Sequence, residues 1–181
     1  MLAARALARE LLMGSDAVYP SGHDLAQVCA KCGGCHGTPT ATEDGFHLSW
    51  SHSRGWVAAG VSRHPIGVDV EAHQGRWRQW GLEALMTHAL TDTEKDVARS
   101  SNDPHQAFLM AWTSKEALTK AGILDIDQFG NQAVLLTGGR VREEVLGCVL
   151  RVKVTADYTV AVAAASRCEP EWAGAFHAAS I

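Results

Sequence analysis

Along residues 46–164 the spacing of apolar side chains changes twice, from a period near two to a helical period and back to two. Phe46-His47-Leu48-Ser49-Trp50 alternates, Trp56–Val61 is a short apolar run, and Ile66–Glu71 is β-branched and alternating. These read as three strands, with turns at Ser53-Arg54-Gly55 and near His64-Pro65. From Trp80 to Ser100 the pattern is helical with a break at Leu90-Thr91-Asp92, where Thr91 suits an N-cap and Glu94, three residues on, completes a capping box. Pro104 opens the longest helix, which runs to about Ala121 and is closed by Gly122. Ala133–Leu136, Cys148–Thr155 and Tyr158–Ala164 return to strand. Strands, then helices, then strands imply an α+β fold rather than alternating α/β units.

The flanks add less. Residues 3–13 read as a short amphipathic helix stopped by Gly14, and residues 14–45, rich in Gly, Pro and Thr, read as loops. With 181 residues and 46% hydrophobic content the chain can pack one domain or two small subdomains. A net charge of −4 excludes bulk nucleic-acid binding, which needs a basic footprint. No run approaches the roughly 18 apolar residues of a membrane span. Arg5, Arg9 and Glu10 interrupt the first apolar stretch, so it is not a signal-peptide core, and a cytoplasmic location is expected. Five cysteines are an odd number for a disulfide framework and are expected as thiols.

Three segments carry chemistry. In Gly67-Val68-Asp69-Val70-Glu71, the i, i+2 spacing sends Asp69 and Glu71 to one face of a strand, where two carboxylates repel unless a hard cation joins them or solvent separates them. In Trp112-Thr113-Ser114-Lys115-Glu116-Ala117, the residues Trp112, Glu116 and Lys120 form one helical stripe with Lys115 beside it. The stripe serves either as a surface Glu116–Lys120 ion pair or as an anchored face presenting an acid and cations. Ser49-Trp50-Ser51-His52-Ser53-Arg54 offers hydroxyls, an imidazole and a guanidinium, as a phosphate-binding lip or an ordinary polar turn.

Taken in order, Ser51-His52-Ser53, Gly67 to Glu71, and Trp112 through Lys120 resemble the motifs of the 4′-phosphopantetheinyl transferase superfamily. Leu90-Thr91-Asp92-Thr93-Glu94, His36-Gly37-Thr38-Pro39 and Ala3-Ala4-Arg5-Ala6-Leu7 resemble three further family elements, so the likeness covers about residues 3–164. The resemblance implies a Mg²⁺-dependent enzyme of the holo-acyl-carrier-protein synthase kind. It would move the 4′-phosphopantetheine arm of coenzyme A onto a serine of a carrier protein and release 3′,5′-ADP. It implies that Asp69, Glu71 and Glu116 ligate the metal, that Glu116 also accepts the serine proton, and that Lys115 stabilises charge on the diphosphate. Lys120, His52, Ser51 and the Thr38 loop would contact coenzyme A, with Glu94 as a supporting carboxylate nearby. The position of Asp69 and Glu71 within the chain resembles the longer, pseudo-dimeric, surfactin-synthetase-activating type. That type implies two similar α/β subdomains with antiparallel sheets related by a pseudo-twofold, here 1–64 and 65–181, with a shortened N-terminal half. It also implies a monomer, coenzyme A in the cleft between the halves, and carrier domains of fatty acid, polyketide or nonribosomal peptide synthases as partners, without nucleic acid or membrane.

Two departures stand out. Thr38 occupies a position where the family loop usually carries Lys or Arg, which predicts weaker coenzyme A binding. Cys29-x-x-Cys32-x-x-Cys35-His36 allows a rival reading as a zinc site in a non-catalytic, metal- or partner-binding protein. The run Cys32-Gly33-Gly34-Cys35-His36 also matches a haem-attachment pattern, but that chemistry normally occurs outside the cytosol. In the family this stretch is a turn shaping the coenzyme A loop. Trp77 and Trp80, with Arg76 and Arg78, serve either as core or as a docking patch for an acidic carrier.

Overall fold

The computed structural model describes residues 2–14, 25–29, 32–34, 37–41, 45–74, 81–165, 170 and 176–177. The expectations placed on Cys35, His36, Cys168, Arg76, Trp77, Arg78 and Trp80 lie outside the described residues.

The fold is α+β, and every strand pairing described is antiparallel. Helix α1 (Leu2–Gly14) precedes β1 (Leu25–Gln27), β2 (Pro39–Ala41), β3 (His47–Ser53), β4 (Trp56–Ser62) and β5 (Ile66–Ala72). Three helices follow, α2 (Leu82–Ala89), α3 (Asp92–Ser100) and α4 (Pro104–Lys120), and then a 3₁₀ turn at Ile126–Gln128. The short strands β6 (Leu135–Leu136), β7 (Arg140–Val141) and β8 (Glu144–Val145) lead to β9 (Cys148–Val154), β10 (Tyr158–Ala165) and β11 (Phe176–His177). One sheet has the order β1-β2-β3-β4-β11, a second β5-β10-β9-β8, and β6-β7 form a small pair. The chain leaves the first sheet for the second through the turn at Arg63–Pro65, between β4 and β5. No helix among the described residues is long and apolar enough to cross a membrane.

Local sequence explains most boundaries. Thr91 caps α3 by accepting from the Glu94 amide, and the Glu94 carboxylate reaches back to the Thr91 amide, the reciprocal bonds of a capping box. Asp103 caps α4 by accepting from the Gln106 amide, and Pro104 fills the first helical position, where a missing N–H is harmless. The β3–β4 turn is tighter than expected. Strand β3 continues through Ser53, and Arg54 and Gly55, both at positive φ (40° and 86°), make the two-residue connection that suits twisted hairpins. The segment read as loop also holds the short strands β1 and β2.

Three apolar clusters hold the elements together. Ala4, Ala8 and Leu12 of α1 pack on Leu25, Leu48 and Trp50 of the first sheet. Phe108, Leu109, Ala111, Ala117 and Leu118 of α4 pack on Leu150, Ala161 and Ala163 of the second. Val68, Val70, Val160 and Val162, on the opposite face of that second sheet, meet Trp56 and Ala58 of β4. Strand β5 is thus enclosed between β3–β4 and α4. At Gly67 the backbone of β5 lies so close to α4 that a Cβ would overlap the Ala117 carbonyl. This close approach brings the acids of β5 beside the last turns of α4.

Candidate active site

Because alternate residues of a strand share a face, Gly67, Asp69 and Glu71 all turn away from Val68 and Val70. The contact at Gly67 places that face toward α4. The Asp69 side chain is buried, and both of its donors reach the same oxygen: Ser51 Oγ at 2.8 Å and Lys120 Nζ at 2.6 Å, each on Oδ1. Oδ2 is buried with no hydrogen-bond partner. Burial pushes the Asp69 carboxyl above its ordinary value, against the opposing pull of the Lys120 charge and hydrogen bond, the Ser51 hydroxyl and the Val70 amide. Glu71, half-buried, accepts from Ser53 Oγ at 2.8 Å on Oε2.

Glu116 enters from α4. Its carboxyl is also raised, first by burial, then by the charge of Asp69, with Lys120 partly offsetting and Glu71 adding to the effect. Glu116 therefore feels the charge of both strand acids, although it lies more than forty residues beyond them in the chain. Lys120, one turn beyond Glu116 on α4, pairs with Asp69 across the two elements rather than with Glu116 along its own helix. The surface ion pair within the helix is not what the structure contains.

Lys115 and Glu94 sit elsewhere, which corrects two expectations. The Lys115 side chain is wholly buried, and its ammonium donates to the Ala89 carbonyl at 2.7 Å, to Glu94 Oε2 at 2.6 Å and to the Phe129 carbonyl at 2.7 Å. An ammonium has three N–H groups, so none remains for a diphosphate. Burial lowers the proton affinity of Lys115, and the Glu94 charge and hydrogen bond act the other way. Glu94 is equally saturated: Oε1 accepts the Val134 and Leu135 amides at 2.7 and 3.0 Å, and Oε2 accepts the Thr91 amide at 2.9 Å together with Lys115. The pair joins the ends of α2 and α3 to α4 and to the chain around β6. It supports α4 without reaching the acids of β5.

The expected phosphate lip is split by strand alternation. Ser49, Ser51 and Ser53 face β5, whereas His52 is exposed on the other face of β3, the face that carries Leu48 and Trp50 against α1. Thr38 is exposed just before β2. Neither His52 nor Thr38 joins the acid cluster. Cys29, half-buried, and Cys32, exposed, lie on a tight turn closed by the Gly33 amide on the Cys29 carbonyl and the Cys29 amide on the Gly34 carbonyl, both at 2.8 Å.

The chemistry of the acid cluster suits a hard divalent cation. It offers oxygen donors that repel one another, an ammonium serving as countercharge, and a buried carboxylate oxygen without a donor. Among the described residues no three His, Cys, Asp or Glu side chains converge as a ready ligand cage. The expected triad of Asp69, Glu71 and Glu116 is therefore a shared electrostatic site, with the Lys120 ammonium on Asp69, rather than a closed set of ligands. Mg²⁺ needs no such cage, since it typically takes one or two carboxylates and completes its shell with substrate phosphate oxygens and water.

The sequence reading set Ser49 and Ser53 in the polar lip but did not place them against β5, where Ser49 accepts from the Val68 amide and Ser53 binds Glu71. Their signal was the serine at every second position from 49 to 53, one face of a strand.

Comparison with known proteins covers the part of the chain that bears these acids. The sequence model of the 4′-phosphopantetheinyl transferase superfamily matches residues 65–163, from the start of β5 into β10. The chain is also similar to the 4′-phosphopantetheinyl transferase gsp of Aneurinibacillus migulanus, 27% identical over 89 residues, which is 48% of this chain. That alignment spans 35% of the relative's own length.

Proposed function

The chain belongs to the 4′-phosphopantetheinyl transferase superfamily, and from that premise we propose that it transfers the 4′-phosphopantetheine arm of coenzyme A to a serine of an acyl or peptidyl carrier protein. The observation that carries this reading is the cluster of Asp69, Glu71 and Glu116 between β5 and α4, with the buried Asp69 Oδ2 left without a donor. The cluster lies inside the matched region.

Asp69, Glu71 and Glu116 would hold Mg²⁺ against the diphosphate of coenzyme A. The ion, when bound, neutralises charge that builds on the phosphate oxygens. Glu116 takes the proton of the incoming serine hydroxyl; no hydrogen bond from the described residues occupies its carboxylate. The serine oxygen forms a bond to the β-phosphorus, the bond from that phosphorus to the bridging oxygen breaks, and 3′,5′-ADP leaves. Lys120, whose side chain is 30% exposed, is the cation placed to follow this charge. Its ammonium exchanges Asp69 for a phosphate oxygen as the site fills. This role passes to Lys120 from Lys115, whose donors are spent in the interior.

We assign the chain to the longer, pseudo-dimeric type, with subdomains 1–64 and 65–181, acting as a monomer in the cytoplasm on carrier domains of fatty acid, polyketide or nonribosomal peptide synthases. Support comes from the first sheet, whose strands β1–β4 precede the matched region and which β11 joins from beyond it. His52 and Thr38, both exposed, belong to that sheet or its connections, on the side where coenzyme A would enter, whereas Ser51 faces β5.

Incubation with coenzyme A, Mg²⁺ and a panel of apo carrier proteins tests the proposal. A carrier that gains the mass of the arm, with 3′,5′-ADP released in equal amount, is the expected result. Loading that continues unchanged with Asp69→Asn would overturn the assignment of the site.

A further inference from the structure

Strand β5 ends the second sheet, so the backbone groups on its outer edge have no strand partner. Unpaired edge amides are normally capped by water or by another chain. Here they meet side chains. The Val68 amide donates to Ser49 Oγ at 2.9 Å, and the Ala72 amide donates to Ser53 Oγ at 3.1 Å. Ser49 and Ser53 are four residues apart on β3, as Val68 and Ala72 are on β5, so the two strands run in the same direction with serine hydroxyls standing in for a backbone ladder. Ser53 has a second task, and Ser51, between the two, shares its kind. Ser51 donates to Asp69 Oδ1, and Ser53 donates to Glu71 Oε2 while accepting from Ala72.

We propose that Ser51 and Ser53 are positioning residues that build the cation site from the neighbouring sheet, each fixing one carboxylate of β5 through a hydroxyl of β3. The inference deepens the reading of Asp69 and Glu71 as metal ligands and rests on it. Geometry supplies the argument. A carboxylate on a strand rotates about two side-chain bonds, and a hydrogen bond to one oxygen selects one orientation. For Asp69 the Ser51 hydroxyl and the Lys120 ammonium both take Oδ1, so Oδ2 is the oxygen turned to the ligand. When Lys120 leaves for a phosphate, Ser51 still holds Oδ1. For Glu71 the hydroxyl of Ser53 is itself fixed by the Ala72 amide, so its proton is directed at the carboxylate. Partners of this kind, one bond removed from the metal, typically alter metal affinity 10- to 100-fold when lost. The proposal differs from a direct contact between Ser51 and coenzyme A phosphates, because it predicts an effect when no coenzyme A is present.

The test is Mn²⁺ binding, followed by the paramagnetic resonance of free Mn²⁺, to the full chain without coenzyme A. Variants Ser51→Ala, Ser53→Ala, Ser53→Thr, Ser49→Ala and Asp69→Asn are compared, with far-ultraviolet circular dichroism and thermal melts to establish folding. Ser49→Ala is the internal control, since Ser49 lies on the same face and bonds a β5 amide without touching an acid. The expected result is about tenfold weaker Mn²⁺ binding in Ser51→Ala and Ser53→Ala, rescue in Ser53→Thr, and unchanged binding in Ser49→Ala. Mn²⁺ affinity within twofold of wild type in both Ser51→Ala and Ser53→Ala, alongside its loss in Asp69→Asn, overturns the positioning role and leaves the metal site standing. Equal losses in Ser49→Ala also overturn it, since the effect would then come from general weakening of the β3–β5 contact. No Mn²⁺ binding by the wild type, or binding indifferent to Asp69→Asn, overturns the site reading and the positioning role together.

Discussion

Replacing Lys115 separates a residue that supports the site from one that performs its chemistry. Lys115→Met keeps an unbranched side chain of similar length and removes the charge. Glu94 then retains three amide donors, from Thr91, Val134 and Leu135, but loses its ammonium, and the carbonyls of Ala89 and Phe129 lose theirs. Breaking one side of a buried pair costs about 3–5 kcal/mol. Against a total stability of about 5–15 kcal/mol that is a large share. Glu94→Gln should cost as much or more. If the amide oxygen keeps the Val134 and Leu135 donors, its NH₂ group faces the Thr91 amide and the Lys115 ammonium, so donors confront donors and a buried cation loses its countercharge. The double variant removes that uncompensated cation, and should be less destabilised than the two single losses added, by about 0.5–3 kcal/mol of coupling. Urea denaturation of the four proteins gives all three values. Lys115→Met within about 1 kcal/mol of wild-type stability, with carrier loading abolished, would refute the structural role and return Lys115 to the diphosphate.

The same pair predicts a pH dependence. Burial sets the proton affinity of Lys115 in the folded state below that of the unfolded chain, so between the two pKa values the unfolded state holds more protons and stability rises with pH. Wild type should therefore gain stability relative to Lys115→Met as pH climbs from the folded pKa toward the ordinary lysine value of about 10.4; denaturation midpoints that keep a constant gap across that window count against it. Thr38→Lys adds a cation at an exposed position on the side assigned to coenzyme A. It should lower the KM for coenzyme A up to about fivefold, the reach of an exposed ion pair near 1 kcal/mol, and an unchanged or higher KM refutes the reading of that loop. Gly67→Ala drives a methyl into the Ala117 carbonyl, a backbone group that cannot swing aside. It should cost about 1–3 kcal/mol by overpacking and lower the melting temperature, and an unshifted melt would mean that β5 and α4 are not held as close as described.

What the sequence made legible was local. Thr91 and Glu94 announce a capping box by spacing alone, and Asp103-Pro104 announces the start of α4, because both depend on neighbours within one helical turn. The long strands β5, β9 and β10 each span more than three periods of alternation and could be read directly. Strands β1 and β2 have three residues each, too few for any period to register among Gly, Cys and Thr. The serine ladder was half visible. The alternation of Ser49, Ser51 and Ser53 is in the sequence, but nothing there says that β5 is an edge strand lying beside β3. Lys115 is the instructive error. Its place beside Glu116 suggested a shared role, yet Phe108, Ala111, Lys115 and Leu118 recur at the spacing of a buried stripe, and that stripe is where the side chain goes.

A comparison of two buried acids shows why burial alone does not mark a functional group. Glu94 is less exposed than Asp69, at 0% against 4%, and both carry a lysine partner. The difference lies in how their oxygens are used. Four donors are divided evenly between the oxygens of Glu94, so its charge is spent on the fold and no lone pair is directed at a ligand. Both donors of Asp69 crowd onto one oxygen and the other is left buried and bare, a state that costs free energy in the isolated chain. A fold tolerates that cost where something from outside completes the group. The buried, unevenly satisfied acid is therefore the one to assign to chemistry, and the fully satisfied one to architecture, although each sits in a motif of the same family and each pairs with a lysine of the same helix.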